Sequence, residues 1–176
     1  HGQDQLPWKA EVGIDNGVPC IFDLSYQTNG QWVNLASKLH PEFKVITGVR
    51  TKKNPQREKG LAPGESLSFQ WDTYSDDPMS RKDEVKEAKD IWNTTQMAVH
   101  QNGNEQIVVF DGLTLGQFSG GFELHFFDGC NLIRIEAVAS TQDDGVCYLY
   151  HGGLSGFKPD KLYYVTPKRR EVLENP

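Results

Sequence analysis

Four side chains late in the chain are spaced to do acid–base or charge chemistry together. Glu123, His125, Arg134 and Glu136 alternate with apolar residues in the runs FELHFF and NLIRIEAVAS. In an extended chain, residues two apart point to the same side. Asp128-Gly129 between the runs suits a two-residue hairpin turn. That turn sets Phe127 opposite Cys130, His125 opposite Leu132 and Glu123 opposite Arg134. One face then collects Phe122, Leu124, Phe126, Ile133, Ile135, Ala137 and Ala139, and must be core. The other face carries the four polar residues. They supply a general acid–base pair with a cation to position a substrate, or else a solvated ion-pair face of small energetic value. Glu123 and Glu136 also suit the carboxylate pair of glycoside hydrolysis, although that chemistry needs a separation that spacing alone does not fix.

Tyr148 and Tyr150, in VCYLYH, share a strand face and offer phenol rings on which a sugar can stack. The competing reading is half-buried packing. Trp8, Trp32, Trp71 and Trp92 read as core or rim. Cys20, Cys130 and Cys147 allow one internal disulfide and match no zinc spacing. About ten residues of strand, roughly 30 Å, lie between Cys130 and Cys147 in the hairpin. A disulfide needs Cα atoms within about 7 Å, so that pair is disfavoured and a pairing with Cys20 stays open. Cys147 alternates with bulky residues and reads as a packed thiol. The glycines of DGLTLGQFSGG lack phosphate-loop spacing, and no nucleophile-elbow motif is present.

Two resemblances bear on these residues. His1-Gly2 resembles the mature N-terminus of lytic polysaccharide monooxygenases. That resemblance implies copper held by the amino group and ring of His1. The second ligand would come from His40, His100, His125 or His151, and Tyr148, Tyr150 or Tyr163 would lie axial. Amine and imidazole nitrogens suit Cu(II); a tag remnant would begin the same way. The stretch NLIRIEAVASTQDDGVCYLYHGGLSGF resembles the sheet-and-turn style of galactose-mutarotase-like supersandwich domains, over about residues 105–160. This implies a carbohydrate connection. No catalytic His or Glu of that family falls on a matching position.

The elements that must hold these residues are mostly strands. WKAEVGI, CIFDLSY, QWVNL, KVITGV, LSFQW, TQMAVHQ, QIVVF and LYYVT are short and rich in β-branched and aromatic residues. Asn29-Gly30 and Asn102-Gly103 read as type I′ hairpin turns. One segment departs from this pattern. Ser80 precedes Asp83 as in a capping box, and Val85, Ala88, Ile91 and Trp92 recur at helical spacing. The expected fold is an all-β antiparallel sandwich with one short helix near residues 81–92. It forms a single domain over residues 1–176. KRREVLENP ends without an evident strand or cap, which fits either a domain cut from a longer secreted protein or a frayed terminus.

The 18 basic and 24 acidic residues give a net charge of −6, a field that does not attract nucleic acid. No apolar run is long enough to cross a bilayer as a helix. The expected function is a carbohydrate-binding or accessory domain of a secreted polysaccharide-active system, in a secreted or periplasmic location. Tyr148, Tyr150, Arg134, Glu123 and His125 would contact a polysaccharide or oligosaccharide without a cofactor. Two alternatives stand beside it: a copper-dependent polysaccharide oxidase with His1 as metal ligand, and a structural or protein-interaction module.

Overall fold

The computed structural model describes residues 7–49, 85–158, 161–165 and 170–174, the last two spans through their backbone. The expectations on His1, Trp71, Ser80, Asp83 and the run LSFQW lie outside these residues. The described residues form strands β1 (Trp8–Asp15), β2 (Val18–Thr28), β3 (Gln31–Val49), β4 (Lys86–Trp92), β5 (Met97–Asn102), β6 (Glu105–Leu115), β7 (Phe118–Phe127), β8 (Ile133–Ser140), β9 (Val146–Ser155), β10 (Lys161–Val165) and β11 (Arg170–Glu174). Every strand pairing among the described residues is antiparallel. The first nine strands form one sheet in the order β1-β2-β3-β4-β6-β7-β8, with β5 on β6 and β9 on β3. The fold is therefore all-β and antiparallel. β10 and β11 form a separate hairpin, so the C-terminal run that lacked strand signals supplies a strand after all.

The predicted helix is overturned where it is described. Residues 86–92 form β4, bridging β3 and β6. Ala88 and Trp92 are half-buried and pack on the core, whereas Ile91 is 67% exposed. The true period is two, and Ile91 was counted wrongly as a core position. Backbone bonds to two neighbouring strands outweigh local helix propensity.

Two strands are long enough to serve three partners each, β3 meeting β4 and β6 meeting β7 besides those that divide its length. β3 fuses QWVNL and KVITGV. It pairs with β2 up to Leu39 and with β9 from His40 onward. Lys38, at φ 54°, adjoins this change of partner. β6 pairs with β5 over Glu105–Phe110 and with β4 over Leu113–Leu115. Between them a bulge at Asp111-Gly112 receives the β4–β5 connection. Asn93 N donates to Gly112 O at 2.9 Å, and Thr94 Oγ1 donates to Asp111 O at 2.8 Å. Gly112 sits at φ 82°, and a Cβ there would run into the Asn93 carbonyl.

The sheet curls round its core. Phe43 on β3 and Phe122 on β7 have ring centroids 6.0 Å apart. In a flat sheet the three strand steps between them would span about 14 Å. Phe122 also meets Trp92 at 6.1 Å and Phe110 at 6.0 Å. Phe43, Phe110, Phe122, Ile21, Leu39, Leu113 and Leu124 are fully buried in this core. The curl brings β8 and β9, the two ends of the path β9-β3-β4-β6-β7-β8, around one cavity.

The turns refine the register. Asn29 and Gly30, at φ 50° and 75°, form the expected type I′ hairpin. The next loop is Gly103-Asn104 rather than Asn102-Gly103, because Asn102 still pairs with Glu105. At Asp128-Gly129 the turn closes with Cys130 N donating to Phe127 O at 3.1 Å, but the ladder resumes only at Ile133 opposite Phe126. The expected partners are thus displaced: His125 faces Arg134, and Glu123 faces Glu136. The slip is two residues. An even slip leaves every side chain on its assigned face.

Candidate functional site

The predicted site residues separate into two groups that share Glu136. The first surrounds His125 on the outer face of β7 and β8. Phe122 and Leu124 point into the core, so alternation sends Glu123 and His125 outward. His125 is nevertheless only 3% exposed. On the ladder it lies between Ile107 of β6 and Arg134 of β8.

Carboxylates meet both nitrogens of this ring. Nδ1 lies 2.7 Å from Glu105 Oε1. Arg134 Nη2 donates to the same oxygen at 3.1 Å, and its Nε is 2.9 Å from Glu136 Oε1. The guanidinium also lies over the Phe127 ring, 5.6 Å from its centroid. On the far side, Nε2 is 3.2 Å from Glu123 Oε2 and 3.6 Å from Glu136 Oε2. Neither approach has hydrogen-bond geometry, so Nε2 is a buried polar atom without a hydrogen bond.

Glu105 was not among the sequence candidates. The signal for it was the β6–β7 pairing, which sets Glu105 opposite Phe127 and so on the face of His125. The expected Glu123–Arg134 cross-strand pair is replaced by Arg134 bridging Glu105 and Glu136.

The second group lines the cavity between β8 and β9. Its volume is about 280 Å³, and its walls are Val45, Leu115, Phe118, Ile135, Glu136, Ala137, Ala139, Tyr148 and Tyr150. Tyr148 and Tyr150 are 61% and 52% exposed. Each phenol is braced by a ring beside it. Tyr150 stacks on Phe43 at 6.1 Å and 20°, and Tyr148 meets Phe118 edge-on at 5.5 Å. Gly152 makes the first contact feasible, because a Cβ there would strike the Phe43 ring. β8 pairs only with β7 among the described residues, so its other edge is free of strand partners.

The remaining candidates are scattered. His100 and His151 are exposed. His40 Nδ1 lies 3.2 Å from the Pro19 carbonyl, and its Nε2 is 3.8 Å from Asp15. Asp15, Cys20 and His40 approach one another closely enough to share an ion. Burial and the Asp15 carboxylate push the Cys20 thiol pKa up against the pull of Lys38, so this sulfur is held protonated. Cys20 and Cys130 are free thiols, Cys147 is buried, and the disfavoured Cys130–Cys147 bridge is not formed. Trp8 donates through Nε1 to the Cys130 carbonyl at 3.2 Å, Trp92 packs on the core, and Trp32 is 48% exposed. No helix among the described residues is long and apolar enough to cross a membrane. No family model matches the chain, and no curated protein or solved structure matches it significantly.

Proposed function

We propose that this chain is a non-catalytic binding domain that takes the terminal ring of a carbohydrate in the β8–β9 cavity. The observation that carries the reading is the pair of exposed tyrosines, each braced by an inner aromatic ring and both turned to one cavity. Such bracing lowers the entropy lost when a ligand immobilises a side chain. An exposed phenol presents a flat apolar face with a polar tip, which matches a sugar ring with its own apolar face and hydroxyl rim. At about 280 Å³ the cavity lies at the small end of ligand sites. That size supports recognition of a chain end or a monosaccharide unit rather than a long polymer groove. Glu136 is the charged residue of the lining and supplies acceptors for sugar hydroxyls.

The test is a glycan array followed by calorimetry with the strongest mono- or oligosaccharide, on the parent protein and on Tyr148→Ala and Tyr150→Ala. Each ring removed should weaken binding by several-fold to about tenfold, the equivalent of about 0.5–1.5 kcal/mol of aromatic contact. Unchanged affinity in both variants would overturn the assignment. So would failure of every glycan while an apolar dye, 1-anilinonaphthalene-8-sulfonate, binds competitively with a small hydrophobic ligand.

A further inference from the structure

We propose that Glu123, His125 and Glu136 form a binding site for a divalent transition-metal ion, zinc foremost, on the outer face of β7 and β8. The polar partners of His125 are unequally shared between its two nitrogens. Glu105 accepts a charge-assisted bond from Arg134 and is a carboxylate that can only accept. Its Oε1 lies 2.7 Å from Nδ1, and Arg134 Nη2, which can only donate, lies 2.9 Å from the same nitrogen, so Nδ1 has a partner in either tautomer. With the ring proton directed from Nδ1 to Glu105, the lone pair resides on Nε2, the nitrogen left without a hydrogen bond. That nitrogen is buried, has no hydrogen bond, and faces oxygens of Glu123 and Glu136 at 3.2 and 3.6 Å. A lone pair aimed at two carboxylates is repulsive unless something positive lies between them.

The geometry suits a metal in that place. Zinc binds nitrogen and carboxylate oxygen at about 2.0–2.2 Å, which puts neighbouring ligands of a tetrahedral ion about 3.3–3.6 Å apart. The three ligand atoms all lie within 4.8 Å of one another. The supporting contacts are those of a metal histidine. Glu105 Oε1 is placed to take the other ring N–H, the carboxylate–histidine arrangement that orients such ligands. Arg134 Nε holds Oε1 of Glu136 and leaves Oε2 turned toward His125.

Charge points the same way. Around the ring three carboxylates face one guanidinium, leaving 3 − 1 = 2 negative charges for a divalent ion to balance. Glu123 and Glu136 side chains are 24% and 42% exposed, so the ion has a path from solvent and a remaining coordination position open to water. The rival occupant is a second proton on His125, making an imidazolium among the carboxylates.

The deciding experiment uses the full chain, stripped with a chelator and dialysed. Zn²⁺ is titrated by calorimetry at neutral pH, and Co²⁺ by visible absorption. Long-range ¹⁵N–¹H spectra report the protonation of His125. One-to-one zinc binding with Nε2 unprotonated is expected. Glu123→Gln and Glu136→Gln should each weaken it at least tenfold, and Glu105→Gln by about 10–100-fold through the ring's orientation. These partly exposed positions are chosen because replacing the buried His125 risks the fold. Absence of saturable binding would overturn the proposal. Zinc binding that survives both ligand variants unchanged would also overturn it, assigning the metal elsewhere, with Asp15, Cys20 and His40 the next candidates. Because the readout is metal and not sugar, this result is independent of the carbohydrate reading.

Discussion

The contact between Phe43 and Phe122 is the most exacting test of the architecture, since the cavity exists only if the sheet curls. Their ring centroids are 6.0 Å apart at an edge-on 61°, although β3 and β7 are three strand steps apart. The perturbation is a double-mutant cycle of Phe43→Leu and Phe122→Leu. Both rings are about 1% exposed, and each single change should cost about 1–3 kcal/mol. A domain with about 5–15 kcal/mol of stability survives the pair. An aromatic contact of this geometry contributes about 0.5–1.5 kcal/mol beyond area burial, and the cycle should return a coupling of that size. Urea unfolding followed by circular dichroism measures it. Phe110 and Phe122 sit directly opposite on adjacent strands with rings 6.0 Å apart, so the same cycle on that pair is a positive control whether the sheet curls or not. Additivity within about 0.3–0.5 kcal/mol for Phe43 and Phe122, with coupling in the control, would refute the curl.

Three further outcomes follow from local geometry. Thr94 is 4% exposed and donates to the Asp111 carbonyl at 2.8 Å, so Thr94→Val should cost about 1–3 kcal/mol by leaving that acceptor unpaired; a loss below the error of urea unfolding would contradict the bulge. Hydrogen bonds from the Gln96 and Thr95 backbone hold the Asp111 carboxyl below its ordinary range, and Ser25 and Asn34 do the same for Asp23. A pKa depressed by folding stabilises above the unfolded carboxylate value and is lost as pH falls through the folded value. Melting temperature should therefore drop on the acid side, with a shallower fall in Asp111→Asn, and parallel curves for the two proteins would count against this linkage. With buried Cys20 and Cys147 and half-buried Cys130, maleimide under native conditions should label Cys130 first and Cys20 slowly, as read by peptide mass spectrometry; early Cys20 labelling would contradict its packing.

The strands were legible because alternation is a local property. Phe122, Leu124 and Phe126 announce an inward face at period two, and the structure packs all three on the core. What local pattern does not carry is the partner. β4 reads as a helix because Lys, Glu and Ala favour one and because Val85, Ala88, Ile91 and Trp92 fit its period. Only the edges of β3 and β6, far away in sequence, make those residues extended. The fusion of two runs into β3 is the same kind of event. A single chain segment serves β2 with one half and β9 with the other, and composition does not distinguish that from two strands.

The polar face shows why residues that share a face can be read correctly from a wrong register. The turn at Asp128-Gly129 was expected to pair Glu123 with Arg134, and the ladder instead pairs Glu123 with Glu136. A one-residue slip would have sent His125 inward and destroyed the group. The apolar face makes that slip costly, because it would expose Phe122 and Leu124, each 1% exposed in the fold. A two-residue slip costs the core nothing in sidedness, so hydrophobic patterning fixes which residues share a face but not which of them touch. The touching is set by ion pairs. Arg134 opposite His125 reaches Glu105 on one side and Glu136 on the other, spanning β6 to β8. Glu105 belongs to a different hairpin from Arg134, and that is why it went unrecognised: its role depends on β6 lying against β7. The same reasoning explains the orphaned Nε2. Two acidic residues on adjacent strands repel when directly opposite, and the Arg134 guanidinium, 2.9 Å from Glu136 Oε1, offsets part of that repulsion between Glu123 and Glu136. The proposed metal ion would offset the rest, with Nε2 of His125 as its nitrogen ligand.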